Sequence, residues 1–532
     1  PPKSPWLREI RLQWGMGEYD TLTFGYDNAN QLTRIDYPAG FSVEYQRNAA
    51  GQVSGVYIVV GEQPEAAFAT GLAYLPFGPL RSLTWANGLT LSRTYDHDYR
   101  LRQQTVGPWQ ATYDYDANSN VESLQSGLFG DLVYGYDELD RLTSEEQATE
   151  RKTYGYDPVG NRSNRVTQGL NNGQVTNTST NNYTYGADSN RLARIGSLVL
   201  PSDAAGNLQK IRAGRDLEYD EQGRLKTAKY NGAVVGEYRY NALGQRVVKA
   251  TGNYIYTYLY GADGQILGET RYSSAGAKLS HQFYIWLDGM PIGGVTLKFN
   301  SKGNVTSTVA FYLHADHLNT PRLATNQAGQ EIWRWKSDAF GLGSAVSVAN
   351  SGIYPINLRF PGQHFDSESG LHYNYFRDYD PQTGRYVQSD PIGLKGGLNT
   401  FGYVNANPVM YIDPTGEATM AIGLLGAVGL VGLAVAINSG NNAAQSDDNG
   451  FPRTDPVVPP WASSTSQSSS SSATAQAECE QDCDLEWDRN REMCNVDAAM
   501  RGYNADRFRQ CMNEVDRIYI DCIQGCAEEC KE

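Results

Sequence analysis

Three Asp-Pro pairs fall close together, at Asp380, Asp390 and Asp413, within the stretch Arg377 to Gly416: RDYDPQTGRYVQSDPIGLKGGLNTFGYVNANPVMYIDPTG. Asp-Pro is common in turns for local reasons, because proline presets φ and aspartate accepts from nearby backbone amides. Sequence physics alone therefore reads three turns. The stretch is also a border: before it the chain is one repetitive β-structure, and after it the composition changes abruptly. Carboxylates at so sharp a border suggest a place where the chain is processed.

Two other groups of residues have chemical potential. His314 and His317, with Asp316 between them, have the spacing of two thirds of a metal site. They lie on a short turn before Leu318-Asn319-Thr320-Pro321 and lack an evident third ligand, so no metal is expected there. No Gly-rich phosphate loop ending in Lys-Ser/Thr and no G-x-S-x-G nucleophile elbow occurs, and no cofactor is expected. The cysteines are the other group. All 7 lie between Cys479 and Cys530, so one small terminal unit has its own redox requirement.

Cys479, Cys483 and Cys494 are 4 and 11 residues apart, spacings that keep side chains on one helix face; Cys511, Cys522 and Cys526 mirror them. An antiparallel helical hairpin turning near Gly502 and Asn504 would place the cysteines opposite one another. The expected bridges are Cys479–Cys526, Cys483–Cys522 and Cys494–Cys511, with Cys530 left over. Zinc is the competing use, but C-x₃-C is not the usual knuckle spacing. This unit contains no His and is acidic, which disfavours a nucleic-acid partner.

These groups need a scaffold, and the chain before the border supplies one. With 532 residues it can bury a large core, and a net charge of −15 argues against nucleic acid or an anionic membrane as a partner for the whole. It begins PPKSPW, without a leader pattern, which suggests a cut inside a longer protein. A unit of Tyr, Asp or Asn, a few polar residues with Gly or Asn, then Leu or Val recurs at Tyr26, Tyr136, Tyr156, Tyr219, Tyr240 and Tyr260. Each unit reads as a β-hairpin whose D-x-x-G piece makes a type I turn followed by a left-handed residue, supplied by Gly or Asn. A lone hairpin is marginal, so neighbours must pair into an extended sheet. The tyrosines are read as this stacking scaffold rather than as a carbohydrate-binding surface.

The Tyr-Asp units resemble the YD repeats of the RHS family, whose strands spiral into a shell. The segment from His314 to Trp335 is similar to the one preceding the family's core, and the segment from Arg359 to Pro408 is similar to the RHS-associated core itself. The resemblance covers roughly residues 15–416. It implies a mainly β fold, with YD-repeat hairpins forming a shell-like sheet with a core plug. It also implies a self-cleaving aspartyl peptidase like that of toxin-complex C proteins, using an Arg, an Asp thirteen residues on, and an Asp in P-x-x-x-x-D-P-x-G. Those positions are Arg377, Asp390 and Asp413 here, with cleavage at Gly416 and Glu417. Two carboxylates held close cannot both ionise cheaply, so one keeps a proton and the other acts as base on water. The protonated partner would polarise the scissile carbonyl, and Arg377 would orient a carboxylate or stabilise negative charge. The family commonly has an apolar residue where this chain has Glu417.

The expected organisation is YD repeats over 1–300, the core over 301–416, an apolar segment over 417–440, a flexible Pro/Ser-rich linker over 441–477 and the cysteine-rich helical hairpin over 478–532. The uncharged run 418–437 is long enough to span a bilayer, and Gly423, Gly426, Gly429 and Gly432 place small residues at every third position. The resemblance implies the C-terminal part of a polymorphic toxin that encapsulates a variable tail and releases it by self-cleavage near Gly416. The alternative is a structural cell-surface YD-repeat protein with a non-toxic cystine cap. The toxin reading carries further expectations: a secreted or cell-surface location and a tail in an oxidising compartment. Its expected partners are a secretion apparatus or N-terminal portion, an immunity protein, and a target-cell membrane through 418–437.

Overall fold

A computed structural model describes residues 9–14 and 18–421, other than 77, 128, 350 and 418. The apolar run 418–437 apart from 419–421, the linker 441–477, and the cysteine hairpin with its three expected bridges lie outside the described residues. Among the described residues no helix is long and apolar enough to cross a membrane. The helical elements there are short 3-10 turns at Pro38–Gly40, Gly393–Gly396 and Val404–Ala406.

The repeat motif is a turn that closes on itself. In the unit at Tyr136, Asp137 Oδ1 accepts from the amides of Leu139 and Arg141, each at 3.0 Å. The backbone is locked too, with the Asp137 amide on the Arg141 carbonyl and the Asp140 amide on the Asp137 carbonyl, both 3.0 Å. One carboxylate thus serves two amides that would otherwise need water. The same pattern recurs at Asp27, Asp157 and Asp220. The residue three after the aspartate takes positive φ, as expected for Gly160 (φ 83) and Asn30 (φ 59). Tyr99, Ser119 and Asp140 also sit there, at φ 63, 71 and 58. The turn's own hydrogen bonds hold these residues against a left-handed penalty of roughly 1–2 kcal/mol, so Gly and Asn are not the whole code.

Most motif tyrosines tie their hairpin to the preceding one. Tyr115, Tyr136, Tyr156, Tyr240 and Tyr260 donate their hydroxyls to the carbonyls of Leu101, Val121, Leu142, Leu225 and Arg246 at 2.7 to 2.8 Å. The ladder slips by one residue at the tyrosine, so Gly135 faces Ser144 while Tyr136 faces Leu142. That bulge re-aims the side chain, whose hydroxyl reaches the preceding hairpin at Val121. The hydroxyls of these tyrosines are thereby committed to structure.

Consecutive strands pair antiparallel, giving an 18-stranded sheet that ends at Leu198–Val199 and a 13-stranded sheet from Lys210–Arg212 to Ala345–Ser347. Alternation places apolar residues of both sheets in one core. Phe41 stacks on Phe283 with centroids 5.4 Å apart, Phe68 meets Tyr312 at 5.0 Å, and Trp85 Nε1 donates to the Ile292 carbonyl at 2.8 Å. A second core joins the later repeats to the segment from Ile356 to Val404.

That segment builds a four-stranded antiparallel sheet from His364–Asp366, Leu371–Asn374, Arg377–Asp380 and Arg385–Tyr386. Its strands are nearly all buried, so their polar groups need internal partners. The repeats supply them. Arg246 and Lys249 reach Asp366 at 3.0 and 2.9 Å, and Arg212 pairs with Asp380 at 2.6 Å.

Candidate functional site

The site forms where strand Arg377–Asp380 meets the chain returning to Gly416. Short strands Tyr411–Ile412 and Met420–Ala421 pair antiparallel, and the described residues 413–417 form the loop that leaves the first of them. The Phe376 amide donates to the Thr415 carbonyl at 3.1 Å, holding that loop against Arg377. Gly416 takes φ 76, and a Cβ there would collide with the Asn374 carbonyl. Only glycine allows this close approach.

Arg377, Asp390 and Asp413 are brought together and buried, with 3%, 7% and 2% of their surfaces exposed. Arg377 Nη2 lies 2.8 Å from Asp390 Oδ2 and 3.5 Å from Asp413 Oδ2. Its Nη1 donates to the Thr400 carbonyl at 3.0 Å, and its Nε donates to the Gly416 carbonyl. Asp413 Oδ1 accepts from the amides of Gly416 and Glu417 at 2.9 and 3.1 Å. The Gly416–Glu417 peptide is therefore gripped at both ends, its oxygen by a guanidinium and its nitrogen by a carboxylate. The group that donates to the Gly416 carbonyl is the Arg377 guanidinium.

The third Asp-Pro pair lies elsewhere. Asp380 accepts from Arg212 and, at 3.1 Å, from Thr383 Oγ1, as a structural turn residue. His314 and His317 diverge: His314 Nε2 lies 2.9 Å from Thr325 Oγ1, while His317 Nε2 lies 2.7 Å from the Val409 carbonyl. Asp316 caps its own turn and pairs with Arg322 at 2.8 Å.

Sequence reasoning missed Tyr386 and Asn374. Tyr386 donates to Asp413 Oδ2 at 2.8 Å, and the Arg377 guanidinium lies 3.7 Å from its ring centroid. Asn374 donates to the Tyr386 hydroxyl at 2.7 Å and to the Asp413 carbonyl at 2.9 Å. Tyr386 stands within the G-R-Y of the core segment, but no local spacing rule links it to Asp413, 27 residues on.

Burial raises the Asp390 carboxyl above the ordinary range; Arg377 and the Ile392 amide oppose this, and Asp413 adds to it. Glu417 is raised by burial and by the nearby Asp390 and Asp413, with Arg377 opposing. Three carboxyl groups thus surround one guanidinium, a setting that favours retention of a proton. The arrangement can polarise a peptide carbonyl, exchange protons between two carboxyl groups and deliver one to a leaving nitrogen.

On the neighbouring position, Asp378 is buried and exchanges two hydrogen bonds with Gln388, both at 2.7 Å. Burial pushes its carboxyl up to about 7, against the pull of Arg246 and Gln388. An acid raised in the folded state costs stability as pH climbs from its unfolded value near 4 through 7. Asp378→Asn keeps an acceptor for Gln388 and does not titrate. It is expected to raise stability at pH 8 by on the order of 3 kcal/mol and to change little near pH 4, read from urea midpoints at both pH values.

The teneurin YD-shell family model matches residues 130–395, half of the chain. Double-stranded DNA deaminase toxin A of Burkholderia cenocepacia is 29% identical over 337 residues, 58% of this chain and 22% of that protein. Toxin protein Tse5 of Pseudomonas aeruginosa is 28% identical over 368 residues, 60% of this chain and 28% of that protein. The chain thus spans between a fifth and a third of the length of these relatives. Among solved structures, the TcdB2-TccC3-TEV crystal structure superposes with a TM-score of 0.66 and 22% identity, over 75% of this chain and 21% of that one. The Photorhabdus luminescens Tc holotoxin pore gives 0.66 and 20%, over 76% and 21%. The structures share the fold, and the family match joins it to the Tyr-Asp turn pattern: the chain belongs to the teneurin YD-shell family.

Proposed function

We propose that this chain is the C-terminal part of a polymorphic toxin whose core cuts its own backbone between Gly416 and Glu417, freeing residues 417–532 from the repeat sheets. The observation that carries this reading is the double grip on that peptide, by Arg377 Nε on the oxygen and Asp413 Oδ1 on the nitrogen. The names of the relatives, a DNA deaminase toxin and Tse5, support the toxin setting.

The carboxyl pair holds one proton. Water adds to the Gly416 carbonyl carbon while Asp390 takes its proton, and Arg377 Nε bears the charge that develops on the oxygen. The carbon–nitrogen bond then breaks as Asp413 gives its proton to the Glu417 nitrogen. The products are a Gly416 carboxyl terminus and a Glu417 amino terminus, and the pair keeps its single proton. Each molecule cuts once, in cis, without a cofactor. Partners in this reading are other components of a toxin complex or secretion apparatus, an immunity protein, and a target-cell membrane met by the released tail through 418–437. The setting is secreted or cell-surface.

Asp390→Asn tests the reading with an isosteric change that removes the base and leaves packing in place. Wild type is expected to run as two fragments in denaturant after incubation between pH 5 and 8, and the variant as one full-length band. Cleavage of the variant at the wild-type rate would exclude Asp390 from the chemistry.

A further inference from the structure

The fifth residue of the repeat turn varies, and at two turns it reaches the core. Where it is Arg, as in Arg100, Arg141 and Arg224, its Nε pairs with the aspartate four residues back at 2.7 Å. Where it is Asn, as in Asn120 and Asn161, the amide nitrogen makes that bond at 3.1 and 3.0 Å, and the amide oxygen is left for another partner. Both partners belong to the core. Asn161 Oδ1 accepts from Asn399 Nδ2 at 2.9 Å and from Arg385 Nη1 at 3.4 Å. Asn120 Oδ1 accepts from Asn407 Nδ2 at 2.9 Å, and Asn407 also donates to the Asp140 carbonyl of the next turn at 2.8 Å.

These contacts sit at the two ends of the catalytic segment. Residues 390–400 form the loop that carries Asp390, closed by the Asp390 amide on the Thr400 carbonyl at 2.8 Å. Arg377 Nη1 donates to the same Thr400 carbonyl. Next to Thr400, Asn399 rests on Asn161, and the Leu398 carbonyl accepts from Asn190 Nδ2 at 3.0 Å. Asn190 Oδ1 in turn accepts from Asn161 Nδ2 at 2.9 Å. Farther along, Asn407 begins the run that leads to Asp413. Asn161 and Asn120 are both nearly fully buried, and both bond at once to their own turn and to the core.

We propose that Asn161 and Asn120 are positioning residues that seat the Asp390 loop and the approach to Asp413 on the turns of two repeats, so that self-cleavage proceeds only once those repeats are folded. The proposal rests on the self-cleavage reading above. Its physical content is geometric: misplacing a reacting group by about 1 Å costs up to ~10²-fold in rate. Here the turns fix where Asp390 meets Arg377. The consequence is a checkpoint, in which the tail stays attached until the repeat sheet beneath the core is complete.

The test uses the full chain. Asn161→Ala and Asn399→Ala break one contact from its two sides, and the second leaves the repeat turn intact should the first fail to fold. Asn304→Ala is the control, because Asn304 is the fifth residue of an exposed turn at Asn300. Cleavage time courses in denaturing gels are expected to slow by roughly 10- to 100-fold in both variants. The double variant should be no slower than the slower single one, and Asn304→Ala should match wild type.

A purely structural role would not move the pH profile, whereas a displaced Asp390 would. Arg377, Asp413 and Glu417 surround Asp390, and the pull of Arg377 outweighs the push of Asp413. Loss of the Arg377 contact should therefore shift the acid limb of the rate profile, set by ionisation of the base Asp390, to higher pH. Wild-type rates and profile in both variants, or slowing that follows lost thermal stability with an unmoved profile, would overturn the proposal. Failure of wild type and Asn304→Ala to cleave at all would instead remove the self-cleavage reading on which it rests.

Discussion

Arg377→Lys is expected to slow self-cleavage by roughly 10²- to 10³-fold while leaving the protein folded. The charge is kept, so a simple counter-ion role would survive the change. What is lost is the fork. In wild type one planar group serves the Gly416 carbonyl through Nε, the Thr400 carbonyl through Nη1, and Asp390 with Asp413 through Nη2. A lysine ammonium is a point donor and cannot span those positions or stack flat on Tyr386. The check is the fraction of full-length chain against time in denaturing gels, with protease resistance of the folded protein as control. Cleavage at the wild-type rate would show that no guanidinium is needed on the carbonyl.

The largest expected loss of stability comes from Asp366→Asn. Asp366 is fully buried between Arg246 and Lys249. Burial alone would raise its carboxyl, but the two cations outweigh burial and hold it well below the usual range. Removing the charge leaves the buried Arg246 without a carboxylate and Lys249 with Glu368 alone, at 3.5 Å, at a cost of about 3–5 kcal/mol. Urea unfolding should show a lower midpoint than wild type. Adding Arg246→Met should recover part of the loss, because it removes the buried cation left without a carboxylate while Lys249 keeps Glu368. An unchanged midpoint in the single variant would mean that water reaches the cluster.

Much of the repeat architecture was legible because its code is local. Aspartate at the turn start and tyrosine before it act within a few residues or on the adjacent hairpin, so their spacing carries the structure. The left-handed position was read too narrowly. Tyr99, Ser119 and Asp140 occupy it because the turn's hydrogen bonds decide the conformation rather than residue preference alone. At the candidate site, the resemblance pointed to Arg377, Asp390 and Asp413, and the fold brings these three together. It could not reveal that Asp380 faces Arg212, since all three Asp-Pro pairs look alike in sequence. Tyr386 and Asn374 were invisible for another reason. Their contacts with Asp413 span 27 and 39 residues and exist only when the sheet and the loop over 413–417 are both formed.

Self-cleavage comes down to one bond, Gly416–Glu417. Wild-type full chain, purified and then denatured, should be measured by intact mass and by N-terminal sequencing of the smaller species. Two species separating only in denaturant are expected, the smaller beginning Glu417-Ala418-Thr419. A single full-length mass after incubation from pH 5 to 8, in protein whose repeat sheets resist protease, would contradict it.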